Sequence, residues 1–278
     1  MLNNHNGMEI AHVKNVRQYL RHTMKYRDER GNEIWYRGHN SQKFALEPKM
    51  YRSIYGTKSN VAPFDYESAY KEFFDKIKML GYDITDLNSL HIMAVARHYG
   101  LPTPILDWSV NPLSALFFAV DGYKMNNMIH PVVYLLDPCM LNRNSQYINA
   151  KTGKQFNEPI SIDLNPSDPS LKLFSGSPTT LSNTFTIAAL KSNHNYVHRC
   201  SRQSGVFTFH GFTNYPWLDY EENGKRLVSS IYIHPGSVKS IVSELEKLGI
   251  NRETIYGTDP RDVELDSFCE KLAEKYKR

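Results

Sequence analysis

His98-Tyr99-Gly100-Leu101-Pro102-Thr103-Pro104-Ile105-Leu106-Asp107-Trp108-Ser109-Val110-Asn111-Pro112-Leu113-Ser114-Ala115-Leu116-Phe117-Phe118-Ala119 is the stretch that fixes the centre of the fold. Gly100 and the prolines end a helix that starts near Ser89, because glycine accepts a left-handed conformation and proline has no N–H to continue the ladder. Ile105-Leu106 then reads as a brief strand entering Asp107-Trp108-Ser109. Asn111-Pro112 opens another helix, Leu113 to Gly122, in which Ala115 and Ala119 permit close packing. The unpaired amides of its first turn face whatever lies beside Asp107 to Asn111. Helix, strand and helix are therefore expected in succession, with polar side chains at the joins.

Upstream, Ala69, Phe73, Phe74, Ile77 and Leu80 recur at helical spacing, with Asp65 placed as N-cap and Gly81 as stop. An N-terminal helix is predicted from Ile10 to Tyr26, followed by the turn Glu29-Arg30-Gly31-Asn32 and a short buried strand, Ile34-Trp35-Tyr36, that ends in Arg37-Gly38. Downstream, strands are predicted at Pro131 to Leu136, Gly205 to His210 and Leu227 to His234, and helices at Ser237 to Leu248 and Val263 to Lys277. The polar stretch Asn142 to Ser170 is expected to be a surface excursion. Strands without a regular β-α-β rhythm favour an α+β single domain, with small mixed or antiparallel sheets surrounded by helices.

A chain of 278 residues with 41% hydrophobic residues can bury a sizeable core. Its 33 Lys+Arg against 29 Asp+Glu give +4, which excludes a histone-like basic character but suits a phosphate-bearing ligand. Cys139, Cys200 and Cys269 share no CxxC spacing, so neither a disulfide framework nor a zinc knuckle is expected, and a cytoplasmic setting follows. Met1 to Val13 has no apolar run of the signal-peptide type. The most apolar segment, Leu113 to Val120, falls far short of the roughly 20 residues of a membrane span, so no membrane partner is expected.

Trp35-Tyr36-Arg37-Gly38-His39, followed by Leu46-Glu47-Pro48-Lys49-Met50-Tyr51-Arg52, resembles the (Phe/Tyr)-Arg-Gly opening of the FRG domain and its continuation. The segment from His98 to Ala119 is similar to the family's central block almost end to end, with Pro104 standing where the family usually has Arg. Arg202-Gln203-Ser204-Gly205-Val206-Phe207 resembles a third family segment. The resemblance spans roughly Ile34 to Ala273, which divides the chain into an N-terminal helical extension, 1–33, and an FRG domain, 34–278. A more distant similarity to mono-ADP-ribosyltransferases lies in the order of motifs: an Arg-Gly strand, a Ser-bearing strand before an Ala-x-x-Phe-Ala-type helix, and a later Glu or Gln. Arg37, Ser109 and Gln203 would hold those places.

That similarity implies an ADP-ribosyltransferase-like fold and an enzyme that uses NAD as substrate, of the toxin or antiphage-defence kind, modifying a protein or nucleic-acid acceptor. Arg37 would bind the NAD phosphate or ribose oxygens through its planar fork, or else pair with Asp107 to stitch two strands. Asp107 and Ser109 would organise the ribose side, and Gln203 would sit near the acceptor. Tyr36, Gly38, His39, His98, Tyr99, Trp108 and Asn111 would complete the cofactor site, with Trp108 or Tyr99 stacking on the nicotinamide ring. Ser109 and Asn111 read equally well as helix caps, and the aromatics as ordinary core.

Glycosidic cleavage needs a carboxylate beside an oxocarbenium-like state, and Gln203 cannot supply one. The acid would then be Asp107 or Glu221, or the site would be a non-catalytic nucleotide- or nucleic-acid-binding sensor. His194, His198 and Cys200 raise a metal reading, but no fourth ligand is evident and no metal is expected. Lys43, Lys49, Arg52 and Lys58 interleave with Phe44, Tyr51 and Tyr55, a pattern suited either to a nucleic-acid backbone or to a solvated face.

Overall fold

The computed structural model of the chain describes residues 8–51, 64–84, 87–144, 157–163, 188–191, 201–210 and 220–276. Its strands are β1 (Met8–Val13), β2 (Trp35–His39), β3 (Ile105–Ser109), β4 (Val132–Leu136), β5 (Ile160–Ser161), β6 (Ala188–Lys191), β7 (Gly205–Phe209), β8 (Glu221–Glu222), β9 (Lys225–Arg226) and β10 (Val228–Ile233). Its helices are α1 (Val16–Arg30), α2 (Tyr66–Met79), α3 (Ser89–His98), α4 (Pro112–Val120), α5 (Pro138–Asn144), α6 (Val238–Lys247), α7 (Arg252–Tyr256) and α8 (Pro260–Lys275). This is a mixed α+β architecture. In place of the small sheets expected, one eight-stranded sheet runs in the order β1-β10-β4-β2-β3-β7-β6-β5, with β8 and β9 forming a separate hairpin. Its pairs are antiparallel except β1 with β10 and β5 with β6.

Two further sequence expectations need correction. The predicted N-terminal helix from Ile10 begins instead at Val16, because Met8 to Val13 pair in parallel with Ser229 to Ile233. The hydrogen-bonding edge of β10 overrides the weak local helical pattern of those residues. Asn15 caps α1 by accepting from the Gln18 amide at 2.8 Å, and Glu244 of α6 accepts from the Val16 amide at 2.9 Å. Residues 8–33 thus give an edge strand and a helix to the main sheet, and Val13, Val16, Tyr19 and Tyr26 are buried with α4, α6 and β10. The stretch Asn142 to Ser170 is not wholly a surface excursion either: Ile160 and Ile162 are buried, and Ile160-Ser161 pairs with β6.

The two faces of the sheet carry different cores, as the period of two along each strand requires. Tyr36, Val133, Leu135, Ile231 and Ile233 face α1, α4 and α6. Trp35, Leu106, Trp108, Tyr134, Leu136, Val206 and Val228 gather in a second cluster. A third joins α2, α3 and α8 through Ala69, Phe73, Val95, Tyr99, Leu265 and Cys269. The expected cap of α2 is present, Asp65 accepting from the Ser68 amide at 3.2 Å.

Gly38 determines how closely β2 approaches α4. A Cβ at this position would collide with the carbonyl oxygen of Ala115 and the amide nitrogen of Ala119, both backbone atoms. Strand and helix are in main-chain contact, which accounts both for the glycine of the Arg-Gly pair and for the small residues facing it. Among the described residues no helix is long and apolar enough to cross a membrane.

Candidate functional site

Arg37 leaves β2 one residue before that contact, and its side chain is only 10% exposed. Its Nη1 donates to the main-chain oxygen of Asp107 at 2.5 Å and lies 3.0 Å from the Asp107 carboxylate. Its Nε donates to His39 Nε2 at 2.9 Å. An imidazole that accepts at Nε2 carries its proton on Nδ1, which faces the Phe44 carbonyl at 3.3 Å.

A second guanidinium completes the cluster. Arg97, in the last turn of α3, places Nη2 2.6 Å from the other Asp107 oxygen. Burial pushes the Asp107 carboxyl up, but Arg37 and Arg97 together outweigh it and hold the group well below the ordinary carboxylate range. Two cations share one anion, so the cluster keeps an excess positive charge.

Ser109, at the end of β3, is buried and structurally committed. Its hydroxyl donates to the Gln203 carbonyl at 2.6 Å and accepts from the Asn111 amide at 3.0 Å. Asn111 in turn caps α4, accepting from the Leu113 amide at 2.9 Å. Gln203 is buried, with its side-chain amide 3.4 Å from the Ile255 carbonyl of α7. That helix is seated by Arg252, which grips Asp121 at 2.9 and 3.0 Å. Behind Asp107, Trp108 donates to Thr208 at 3.0 Å, and the Thr208 hydroxyl meets His210 Nε2 at 2.8 Å. Burial, aided by the charge of Arg37, pushes the His210 imidazole down to about 3.

These groups surround a cavity of about 280 Å³. Of the residues singled out from sequence, Tyr36, Arg37, Gly38, His39, Asp107, Trp108, Ser109 and Gln203 line it. His98, Tyr99 and Asn111 do not. His98 sets its ring edge-on to Phe207 at 5.6 Å. Tyr99 turns toward α8, donating to Asp262 at 2.5 Å alongside Tyr82 at 2.8 Å, and burial pushes its hydroxyl far up. It therefore has no ring to offer a ligand in this cavity. Glu221 lies on the β8–β9 hairpin, paired with Arg226 at 3.0 Å, which leaves Asp107 as the carboxylate of the cavity lining among the described residues.

Asn40, Arg97 and Phe118 line the cavity without having been singled out, and Phe44, named only in the basic-aromatic run, lines it too. Arg97 precedes the central segment by one residue, and its place at a helix C-terminus reads as a cation matched to the helix dipole. Of the basic-aromatic run, Lys49 donates to the Gly100 carbonyl at 2.6 Å, whereas Arg52, Tyr55 and Lys58 lie outside the described residues, as do His194, His198 and Cys200.

Residues 32–128 match the family model for the FRG domain. The chain carries an FRG domain. The matched span holds β2, α3, β3 and α4, and with them Arg37, Gly38, Arg97, Asp107 and Ser109; Gln203 reaches the FRG pocket from beyond it. No curated protein and no solved structure matches the chain.

Proposed function

We propose that the FRG domain of this chain binds a nucleotide of the NAD type in the pocket bounded by Arg37, Asp107 and Gln203. The observation that carries this reading is the sharing of one carboxylate by two guanidinia, which leaves a shielded pocket with excess positive charge. Charge-assisted hydrogen bonds to phosphate oxygens are strongest in such a setting. Tyr36, Phe44, Trp108 and Phe118 add flat apolar walls for a ring. At about 280 Å³ the cavity sits near the lower end of ligand pockets, roughly 300–1,000 Å³, so it accommodates one half of a dinucleotide with the remainder outside.

The second reading is an ADP-ribosyltransferase-like enzyme with the corresponding fold. It is favoured by the convergence on one pocket of an Arg-Gly strand, a Ser-ended strand before a helix, and the Gln203 segment, in that chain order. Its weakness is electrostatic. Asp107 is already neutralised by Arg37 and Arg97 and has little field left for an oxocarbenium ion. Binding without efficient cleavage is therefore the conclusion we favour. Calorimetry with NAD and ADP-ribose, run beside an assay of nicotinamide release, separates the two readings. Binding without release supports the sensor, release supports the enzyme, and the absence of both rejects this pocket as a nucleotide site.

A further inference from the structure

We infer that Arg97 is the residue that takes the anionic group of the ligand, and that this group is a phosphate attached to a flat ring. The inference rests on the nucleotide reading above and sharpens it by dividing the labour between the two guanidinia.

Arg37 has its Nη1 and Nε turned inward, onto Asp107 and His39. Those bonds tie β2 to β3 and hold the His39 ring in place. Arg97 is engaged differently. It reaches Asp107 through Nη2, while its Nε is buried without a hydrogen-bond acceptor. A buried guanidinium N–H lacking an acceptor is unfavourable, and because Arg97 lines the cavity a small turn of its side chain would bring that N–H to an oxygen supplied by a ligand.

Arg97 is also held in position. The end of α3 is fixed by the hydrogen bond from Leu101 to Ala96 at 3.0 Å, by Gly100 in the left-handed region with φ of 82°, and by the anchoring of Tyr99 on Asp262. The side chain therefore projects from a rigid helix end rather than from a loop, the arrangement that lets a planar fork select a phosphate by direction as well as charge. Phe44, Trp108 and Phe118 form walls beside it that would hold a base or a nicotinamide ring.

The test compares pairs of ligands that differ only in the phosphate: AMP against adenosine, and nicotinamide mononucleotide against nicotinamide riboside. Calorimetry on the full chain is expected to show the phosphorylated member of at least one pair binding at least tenfold more tightly. Arg97→Ala should erase that preference, so that the phosphorylated and unphosphorylated members of the pair bind alike. Arg97→Lys, which keeps the charge and the partner for Asp107 but not the fork, should retain part of it and serves as the deciding variant if Arg97→Ala fails to fold. A preference that survives in Arg97→Ala, or is undiminished in Arg97→Lys, overturns the assignment while the nucleotide reading stands. If the unaltered protein binds no member of either pair and neither NAD nor ADP-ribose, the nucleotide reading itself fails and takes the assignment with it.

Discussion

The guanidinium of Arg37 holds Asp107 at two points, the main-chain oxygen at 2.5 Å and the carboxylate at 3.0 Å, across the junction of β2 and β3. The wall of the pocket and the joint between central strands are thus one structure. Arg37→Ala should lower stability and ligand affinity together, because it leaves a strand-end carbonyl and half a carboxylate unpaired. The loss is expected to be on the order of 2–3 kcal/mol, discounted from a fully buried pair because Asp107 is 31% exposed. Urea unfolding gives the value, and a midpoint equal to that of the unaltered chain would show that the pair contributes nothing to the fold.

Gly38→Ala should be more damaging than its size suggests. The added methyl meets the Ala115 carbonyl oxygen and the Ala119 amide nitrogen, so relief requires moving α4 off β2. Overpacking of this kind typically costs about 1–3 kcal/mol, and a clash with backbone lies at or beyond the top of that range. Because the obstruction is main chain, Ala115→Gly is expected not to rescue it. Recovery of the melting temperature in the double variant would mean that the contact is made by side chains after all.

The acid sensitivity of the fold should trace in large part to His210. Its imidazole is pushed down to about 3 in the folded chain, against about 6.5 when unfolded. Between those values the unfolded chain binds a proton that the folded chain does not, so stability is fully present above about pH 6.5 and declines as pH falls toward 3. The full span corresponds to on the order of 5 kcal/mol. Asp107, held below the ordinary carboxylate range, acts in the same direction at lower pH: its contribution is present above the unfolded carboxyl pKa and lost as pH drops through the folded one. His210→Gln, which still offers an acceptor to Thr208, should flatten the decline between pH 6.5 and 4. An unchanged slope would remove His210 as its source.

Local signals made several elements legible, and the limits of those signals explain what was not. Asp65 before an apolar helical period announced α2, and Asn111-Pro112 announced α4, because capping and proline geometry act within a few residues. The residues that come together around Asp107 could be nominated because a carboxylate inside an apolar run demands a partner. Which partner it takes depends on the end of α3. Arg97, in a helical last turn, has the sequence appearance of any surface cation, and only the fold turns it inward. Met8 to Val13 were misread because a parallel edge strand takes its stability from β10, more than two hundred residues away. The partner of the Ser109 hydroxyl was hidden for the same reason: the carbonyl that engages it belongs to Gln203, remote in the chain.

Gln203 stands where an ADP-ribosyltransferase-like reading wants a carboxylate, and Gln203→Glu asks whether the site lacks only that charge. The surroundings argue otherwise. The side chain is buried, and its amide donates toward the Ile255 carbonyl at 3.4 Å, a contact that a carboxylate would turn into repulsion between oxygens. Burial would raise the pKa of the new glutamate in the folded state, so its stability is fully present below the unfolded value and lost as pH rises through the folded one. The variant should therefore be destabilised by about 1–3 kcal/mol at pH 7 and approach the unaltered chain at pH 4, apart from the acid loss due to His210 that both share. No gain in nicotinamide release is expected, because the carboxylate would be spent against α7 instead of facing a ribose. A rise in release with unchanged stability would place residue 203 at the reacting bond and reverse the preference for binding over cleavage.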